Sequence, residues 1–190
     1  MIFNSYINYN KKLTIIITMI LIVGLGNPGK KYLNNRHNVG FQFINYLIEN
    51  LQIQSSKSQD SNKFQISNFK FYKTDCFMNQ SGIFVKKLIG NCKLKIENLV
   101  IIHDDLDIPL GKFHIQFTVG PRLHNGLESI EQQLKSKDFW RVRIGVDNRQ
   151  PKNKIPGEAY VLKNFLPKEK QLLQTEIFPK LLSQLKTQFL

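Results

Sequence analysis

Four consecutive apolar residues, Ile20-Leu21-Ile22-Val23, run straight into Gly24 and Gly26, and this is the feature that most limits what the chain can become. A segment apolar at every position has no face for water, so it must be covered on both sides, as the central strands of a parallel sheet are. Over residues 39–51 the period changes: Val39, Phe43, Tyr46, Leu47 and Leu51 recur at helical spacing and supply one of the covers. Strand, loop and helix form the opening unit. The polar stretch 52–63 reads as an exposed loop. Residues 69–77 then read as a strand, 81–89 as a helix closed by Gly90, and 99–102 as a second buried strand. Further strands are predicted over 111–117 and 142–146 around a helix at 126–134, with a closing helix at 167–185. Without an internal repeat or a linker, the expected architecture is a single three-layer α/β/α domain with a twisted, mixed but mostly parallel sheet.

The length of 190 residues suits one domain. Charge narrows the partner: 27 Lys and Arg against 14 Asp and Glu leave +13, which suits a polyanion such as nucleic acid. Cys76 and Cys92 alone cannot build a disulfide framework or a thiolate zinc site, and they fit a reducing compartment. At the N-terminus, Lys11 and Lys12 precede an apolar run that imitates a signal peptide, but no small-residue cleavage step follows and the run is too short for a membrane span. The preferred reading is that Met19 begins the folded unit of residues 19–190 and that 1–18 are an extension or a misassigned start. No membrane partner is expected. The compartment is expected to be the cytoplasm, with an organelle stroma or matrix as the alternative.

In an open α/β sheet, chemistry gathers where strands end. Gly24-Leu25-Gly26-Asn27-Pro28-Gly29 formally matches a dinucleotide-binding glycine loop, but Pro28 and the polar stretch after it delay the helix, and no acidic strand end follows at the right distance. His37, within Arg36-His37-Asn38, could be no more than an imidazole with a satisfied hydrogen bond. However, Asp104-Asp105-Leu106-Asp107 follows the strand at 99–102 and could bring a carboxylate to the same sheet edge. A buried aspartate fixes an imidazole's tautomer and stabilises its protonated form, as a general base requires. Asn27, Asn79 and Asn125 lie at similar exits, where amides serve as turn and cap residues or hold a substrate carbonyl or a water. With no nucleophile elbow, water is the expected nucleophile. His37, His103, His114 and His124 lack the spacing of a helical zinc motif, so neither a metal nor another cofactor is expected.

Five ordered segments resemble the bacterial-type peptidyl-tRNA hydrolases. They are Gly24 to Gly29 with Tyr32 and Arg36-His37-Asn38-Val39-Gly40; Phe77-Met78-Asn79-Gln80-Ser81-Gly82; His103-Asp104-Asp105-Leu106-Asp107-Ile108-Pro109 with Gly111; His124-Asn125-Gly126-Leu127 with Ser129-Ile130; and Arg141-Val142-Arg143-Ile144-Gly145. The resemblance implies hydrolysis of the ester joining a peptide to the 3′ ribose of tRNA, by a monomer that needs no metal. It implies His37 as the base, Asp104 as its orienting carboxylate, Asn27 and Asn79 as holders of the peptide end and of the His or water, and Asn125 as a water-positioning or oxyanion group. Tyr32 and Met78 would line the substrate cleft, Met78 chiefly as packing, and Arg143 would contact phosphate of the acceptor stem.

Two departures concern substrate contacts. Where the family is glycine-rich before its His-Asn-Gly, this chain has Thr118-Val119-Gly120-Pro121-Arg122-Leu123, and the family's second cationic clamp falls at the neutral Gln116. The competing reading is a catalytically silent RNA-binding relative of the organellar splicing type; the intact His37 and Asp104 favour the enzyme.

Overall fold

The computed structural model describes residues 6–9, 12–15, 19–51, 63–66, 68–150 and 155–189. Most of the expected N-terminal extension lies outside the described residues, as do residues 52–62 of the expected loop. Within 1–18, strands β1 (Tyr6–Tyr9) and β2 (Lys12–Ile15) pair with each other, antiparallel, in a two-stranded sheet of their own.

The main body follows in the order β3 (Ile20–Gly24), α1 (Val39–Asn50), β4 (Lys63–Ile66), β5 (Phe69–Lys73), α2 (Ser81–Cys92), β6 (Leu99–Pro109), β7 (Phe113–Phe117), α3 (Asn125–Leu134) and β8 (Trp140–Asp147). The short α4 (Gly157–Val161) precedes α5 (Pro167–Leu172) and α6 (Phe178–Phe189). The six strands lie in the order β4-β5-β3-β6-β8-β7. β5, β3, β6 and β8 run parallel, while β4 and β7 join the two edges antiparallel, which is the mixed, mostly parallel sheet expected.

Alternation along β3 explains the layers. Ile22 belongs to a core with Val39, Phe43 and Leu47 of α1 and Phe178, Leu181 and Leu185 of α6. Its neighbours Leu21 and Val23 turn the other way, into a core with Val85 and Leu88 of α2 and Leu127 and Ile130 of α3. Successive strand residues point to opposite faces, so only a run apolar at every position can serve both cores. Helix α1 approaches β6 and the residue after β3 so closely at Gly40 that a Cβ there would lie 2.5 Å from the Ile102 carbonyl oxygen and 2.6 Å from that of Leu25.

Several boundaries differ from the sequence reading. β5 ends at Lys73 rather than at residue 77, β7 begins at Phe113 rather than at 111, and α2 runs through Gly90 to Cys92. Lys93, at φ 50°, is the left-handed residue that closes α2, and its N–H reaches the Gly90 carbonyl. β6 continues seven residues past Ile102, so Asp104 to Asp107 belong to the strand rather than following it. The closing helix extends to Phe189 and is interrupted by a wide π-type turn over Leu173–Ile177 between α5 and α6.

Candidate active site

The long β6 carries Asp104 into the interior, and a turn from elsewhere in the chain meets it there. Arg36–Asn38 form one 3₁₀ turn, with about three residues per revolution, so three successive side chains leave it in three directions. Asn38 turns back on the first loop: its Oδ1 accepts from the Asn27 N–H at 2.9 Å and its Nδ2 donates to the Asn27 carbonyl at 2.9 Å. His37 turns to Asp104, Nδ1 lying 2.8 Å from Oδ1. Arg36 goes into the segment around Glu169.

Asp104 is 2% exposed. Burial opposes its charge, but His37 and His124 beside it outweigh burial and hold the carboxyl well below the usual carboxylate range. An ionised carboxylate only accepts, so the neutral His37 carries its proton on Nδ1 and keeps the Nε2 lone pair for a substrate or water. For His37 burial pulls the pKa down, and the charge and hydrogen bond of Asp104 reverse this, leaving it raised.

The same Asp104 oxygen takes Nε2 of His124 at 3.1 Å. His124 is the N-cap of α3, and its Nδ1 accepts from the N–H groups of Gly126 and Leu127 at 3.1 and 3.3 Å. Two amide donors on Nδ1 place the neutral ring's proton on Nε2, facing the carboxylate. His103 completes the cluster: its ring is edge-on to His124 at 5.0 Å, and its Nδ1 lies 2.7 Å from the Asp104 backbone oxygen. Complete burial, then the proximity of His124, pushes its pKa well below the ordinary imidazole value.

His37, Asp104 and His124 bring one ligand atom each within 4.8 Å of one another, the separation a metal site would need. Their hydrogen bonds argue for a different use. The one lone pair on neutral His124 is already directed at the two α3 amides, so ligation through Nε2 would require breaking the helix cap or forming an imidazolate.

The other sequence-predicted residues divide into two groups. Asn27 belongs to the assembly: its Oδ1 accepts from the Met78 N–H at 2.8 Å, and its Nδ2 has no protein partner among the described residues. Met78 is buried in the core shared with α2 and α3, with its sulfur packed against Gly126, so it is packing. Tyr32 is half-buried and edge-on to Phe77, ring centres 6.4 Å apart. Asn79 and Asn125 are exposed, one in the turn before α2 and the other opening α3 beside His124, and neither side chain is hydrogen-bonded among the described residues. Arg143 is the β8 neighbour of His103 in the sheet, but its side-chain hydrogen bonds go elsewhere. Its Nε donates to Asp105 at 2.7 Å and its Nη1 to Gln116 at 2.8 Å, so the neutral residue at position 116 braces the arginine. Asp107, two residues on, accepts from the Arg122 N–H at 2.9 Å and ties down the departing 118–123 loop. Behind that loop a cavity of ≈ 260 Å³ opens against α3, lined by Thr118, Arg122, His124, Glu131 and Lys137 among others.

The sequence does not mark His124 as a functional cap, because an imidazole is outside the usual set of helix N-caps. The signal was its position directly before the apolar spacing of α3.

A family model described as peptidyl-tRNA hydrolase matches residues 21–189. A peptidyl-tRNA hydrolase of Prochlorococcus marinus (strain MIT 9215) is 35% identical over 178 residues, covering 87% of each chain. One from Aliarcobacter butzleri (strain RM4018) is 41% identical over 161 residues, covering 82% of this chain and 85% of the relative. Among solved structures, a crystal structure of peptidyl-tRNA hydrolase from Acinetobacter baumannii superposes with a TM-score of 0.75 at 29% identity, over 88% of this chain and 87% of that one.

Proposed function

Because the chain belongs to the peptidyl-tRNA hydrolase family, and so hydrolyses the ester between peptide and tRNA, we propose that His37 is the general base of this reaction and Asp104 the carboxylate that orients it. The observation that carries the assignment is the 2.8 Å contact between His37 Nδ1 and the buried Asp104, which commits one ring nitrogen and frees the other.

Nε2 of His37 takes a proton from water as the water oxygen attacks the ester carbonyl. The tetrahedral oxyanion then collapses, the bond to the ribose 3′ oxygen breaks, and His37 returns the proton to that leaving oxygen. An ester is activated enough that one positioned base, worth about 10²–10⁴ in rate, can act with hydrogen bonds to the oxyanion and without a covalent intermediate. Asn27 Nδ2 is the donor available to the peptide carbonyl, with Asn79 and Tyr32 along the peptide's path. Asn125, at the start of α3, positions the water or the oxyanion. No step calls for a metal or another cofactor.

Arg143 contributes a phosphate contact for the acceptor stem, supported by the +13 charge of the chain. The catalytic unit spans 19–190 and acts as a monomer. It works in the compartment where translation takes place, the cytoplasm in a bacterium; no helix among the described residues is long and apolar enough to cross a membrane.

The deciding experiment follows release of diacetyl-lysine from diacetyl-lysyl-tRNA, with and without a chelator. His37→Ala is expected to abolish release while tRNA binding persists; an undiminished rate would refute the mechanism. Binding without any cleavage by the wild type would favour the splicing-type reading instead.

A further inference from the structure

Arg36 lies beside the proposed base in sequence but contacts a different part of the protein. It is 4% exposed, and its guanidinium stacks 4.3 Å from the Tyr160 ring centre and 5.2 Å from that of Phe165. Nη2 pairs with Glu169, itself 5% exposed, while Nη1 donates to the carbonyls of Lys163 and Asn164. The backbone repeats the connection: Arg36 N–H donates to Lys163, Phe165 N–H donates to Asn34, and Asn35 forms a bridge with Asn164. Glu169 is held as well. Oε2 accepts from the Leu166 N–H at 2.7 Å, capping α5, and Oε1 accepts from Asn148 Nδ2 at 3.2 Å.

A solvated arginine would give the turn no rigidity, and a buried pair contributes little net stability against an apolar replacement of similar volume. What this pair does supply is direction, because a planar fork bound by a carboxylate, two carbonyls and two rings has a single placement. In a 3₁₀ turn the next side chain leaves at about 120°, so fixing Arg36 fixes the exit vector of His37. We infer that Arg36, held by Glu169, is a positioning residue that aims the His37 ring at Asp104. The inference rests on the proposed role of His37.

The test uses Arg36→Lys, Arg36→Met and the double variant Arg36→Met with Glu169→Gln, which removes both charges and leaves an amide oxygen to cap α5. Three quantities are read: kcat and KM separately, Tm, and the His37 titration by imidazole NMR. Misplacing a catalytic group by about 1 Å can cost on the order of 100-fold. The expected result is a kcat lowered about 10- to 100-fold with KM nearly unchanged in all three, and a His37 pKa moved down as its alignment with Asp104 loosens. In the double variant Tm returns toward wild type while kcat stays low. If kcat recovers together with Tm, or if Arg36→Lys matches wild type in both kcat and His37 titration, the pair is merely structural and the inference fails. Should Arg36→Met not fold, Arg36→Lys decides the matter by the same readings. The NMR titration needs no turnover, so it tests positioning even if the role given to His37 in hydrolysis is wrong.

Discussion

One oxygen of Asp104 receives two imidazoles from separate parts of the chain, His37 at 2.8 Å and His124 at 3.1 Å, and these two rings lie 5.1 Å apart. The second ring cannot exchange roles with the first, because α3 occupies its remaining nitrogen. The carboxylate therefore has, beside the titrating His37, a second donor whose ring is tied to the N-terminus of α3.

The titrating partner sets the pH dependence. With its pKa raised above the ordinary value by Asp104, His37 should impose an acid limb on kcat/KM that lies at higher pH than a free imidazole would give. Asp104→Asn removes both raising influences and leaves burial, so the limb should move to lower pH, with kcat reduced about 10²- to 10⁴-fold. A pH–rate profile that keeps its limb in the variant would exclude Asp104 as the group acting on His37.

Stability should follow the same pair with opposite signs at its two ends. A carboxylate held low stabilises the fold above its unfolded pKa of about 4, and this contribution fades as pH falls below that value. An imidazole held high stabilises the fold below its unfolded pKa of about 6.5, and this contribution is lost as pH rises through the folded value. The Tm difference between wild type and Asp104→Asn should therefore be largest between about pH 4 and pH 6.5. A difference flat from pH 3 to pH 9 would contradict the ionised pair.

His124 combines two duties that substitution can separate. His124→Ala loses the cap of α3, worth about 1 kcal/mol, together with the donor to Asp104. His124→Asn restores a good cap without an imidazole. Thermal melts should therefore show Asn recovering most of the stability, and single-turnover rates should show it recovering less of the activity. Equal recovery of both would mean that the ring acts only as a cap.

The arginine assigned to phosphate requires a paired substitution. Burial raises the pKa of Asp105, and the hydrogen bond from Arg143 opposes that shift. Arg143→Ala alone would leave the carboxyl buried without its partner, a change that typically costs about 3–5 kcal/mol. Arg143→Gln combined with Asp105→Asn keeps a neutral hydrogen-bonded pair. This double variant should fold, raise KM and make tRNA binding less salt-dependent, by at most about one phosphate contact. An unchanged salt slope in filter binding would remove Arg143 from the RNA contacts.

The centre of the sheet was legible because uninterrupted apolar runs such as Ile20 to Val23 and Leu99 to Ile102 have essentially one solution in water. β6 was cut short because His103, Asp104 and Asp105 are polar, and polarity reads as departure from the core. They remain inside because they hydrogen-bond to one another's neighbours rather than to water. Gly90 reads as a helix end on residue type alone, but it has open space around it and α2 passes through, leaving the left-handed position to Lys93. His37 and Asp104 were readable as a motif. The Arg36–Glu169 pair was not, since it joins residues 133 positions apart with no local pattern to announce it.

The wide turn at Leu173–Ile177 has its own consequence for the C-terminal segment. It adds roughly one residue to a revolution, and with that extra residue Leu173 faces the same way as Phe178, Leu181 and Leu185, all of which are buried. If the turn tightened to ordinary pitch with all its residues kept, everything after it would rotate by about 100°, and Leu181 and Leu185 would swing toward solvent although no buried residue had been altered. Deleting Thr175, an exposed residue whose side chain bonds to the Gln171 carbonyl, would instead let the helix close to ordinary pitch with Leu173 and Phe178 four positions apart on one face, so the fold should tolerate the deletion. For this stretch the width of the turn matters more than the identity of the residues that form it.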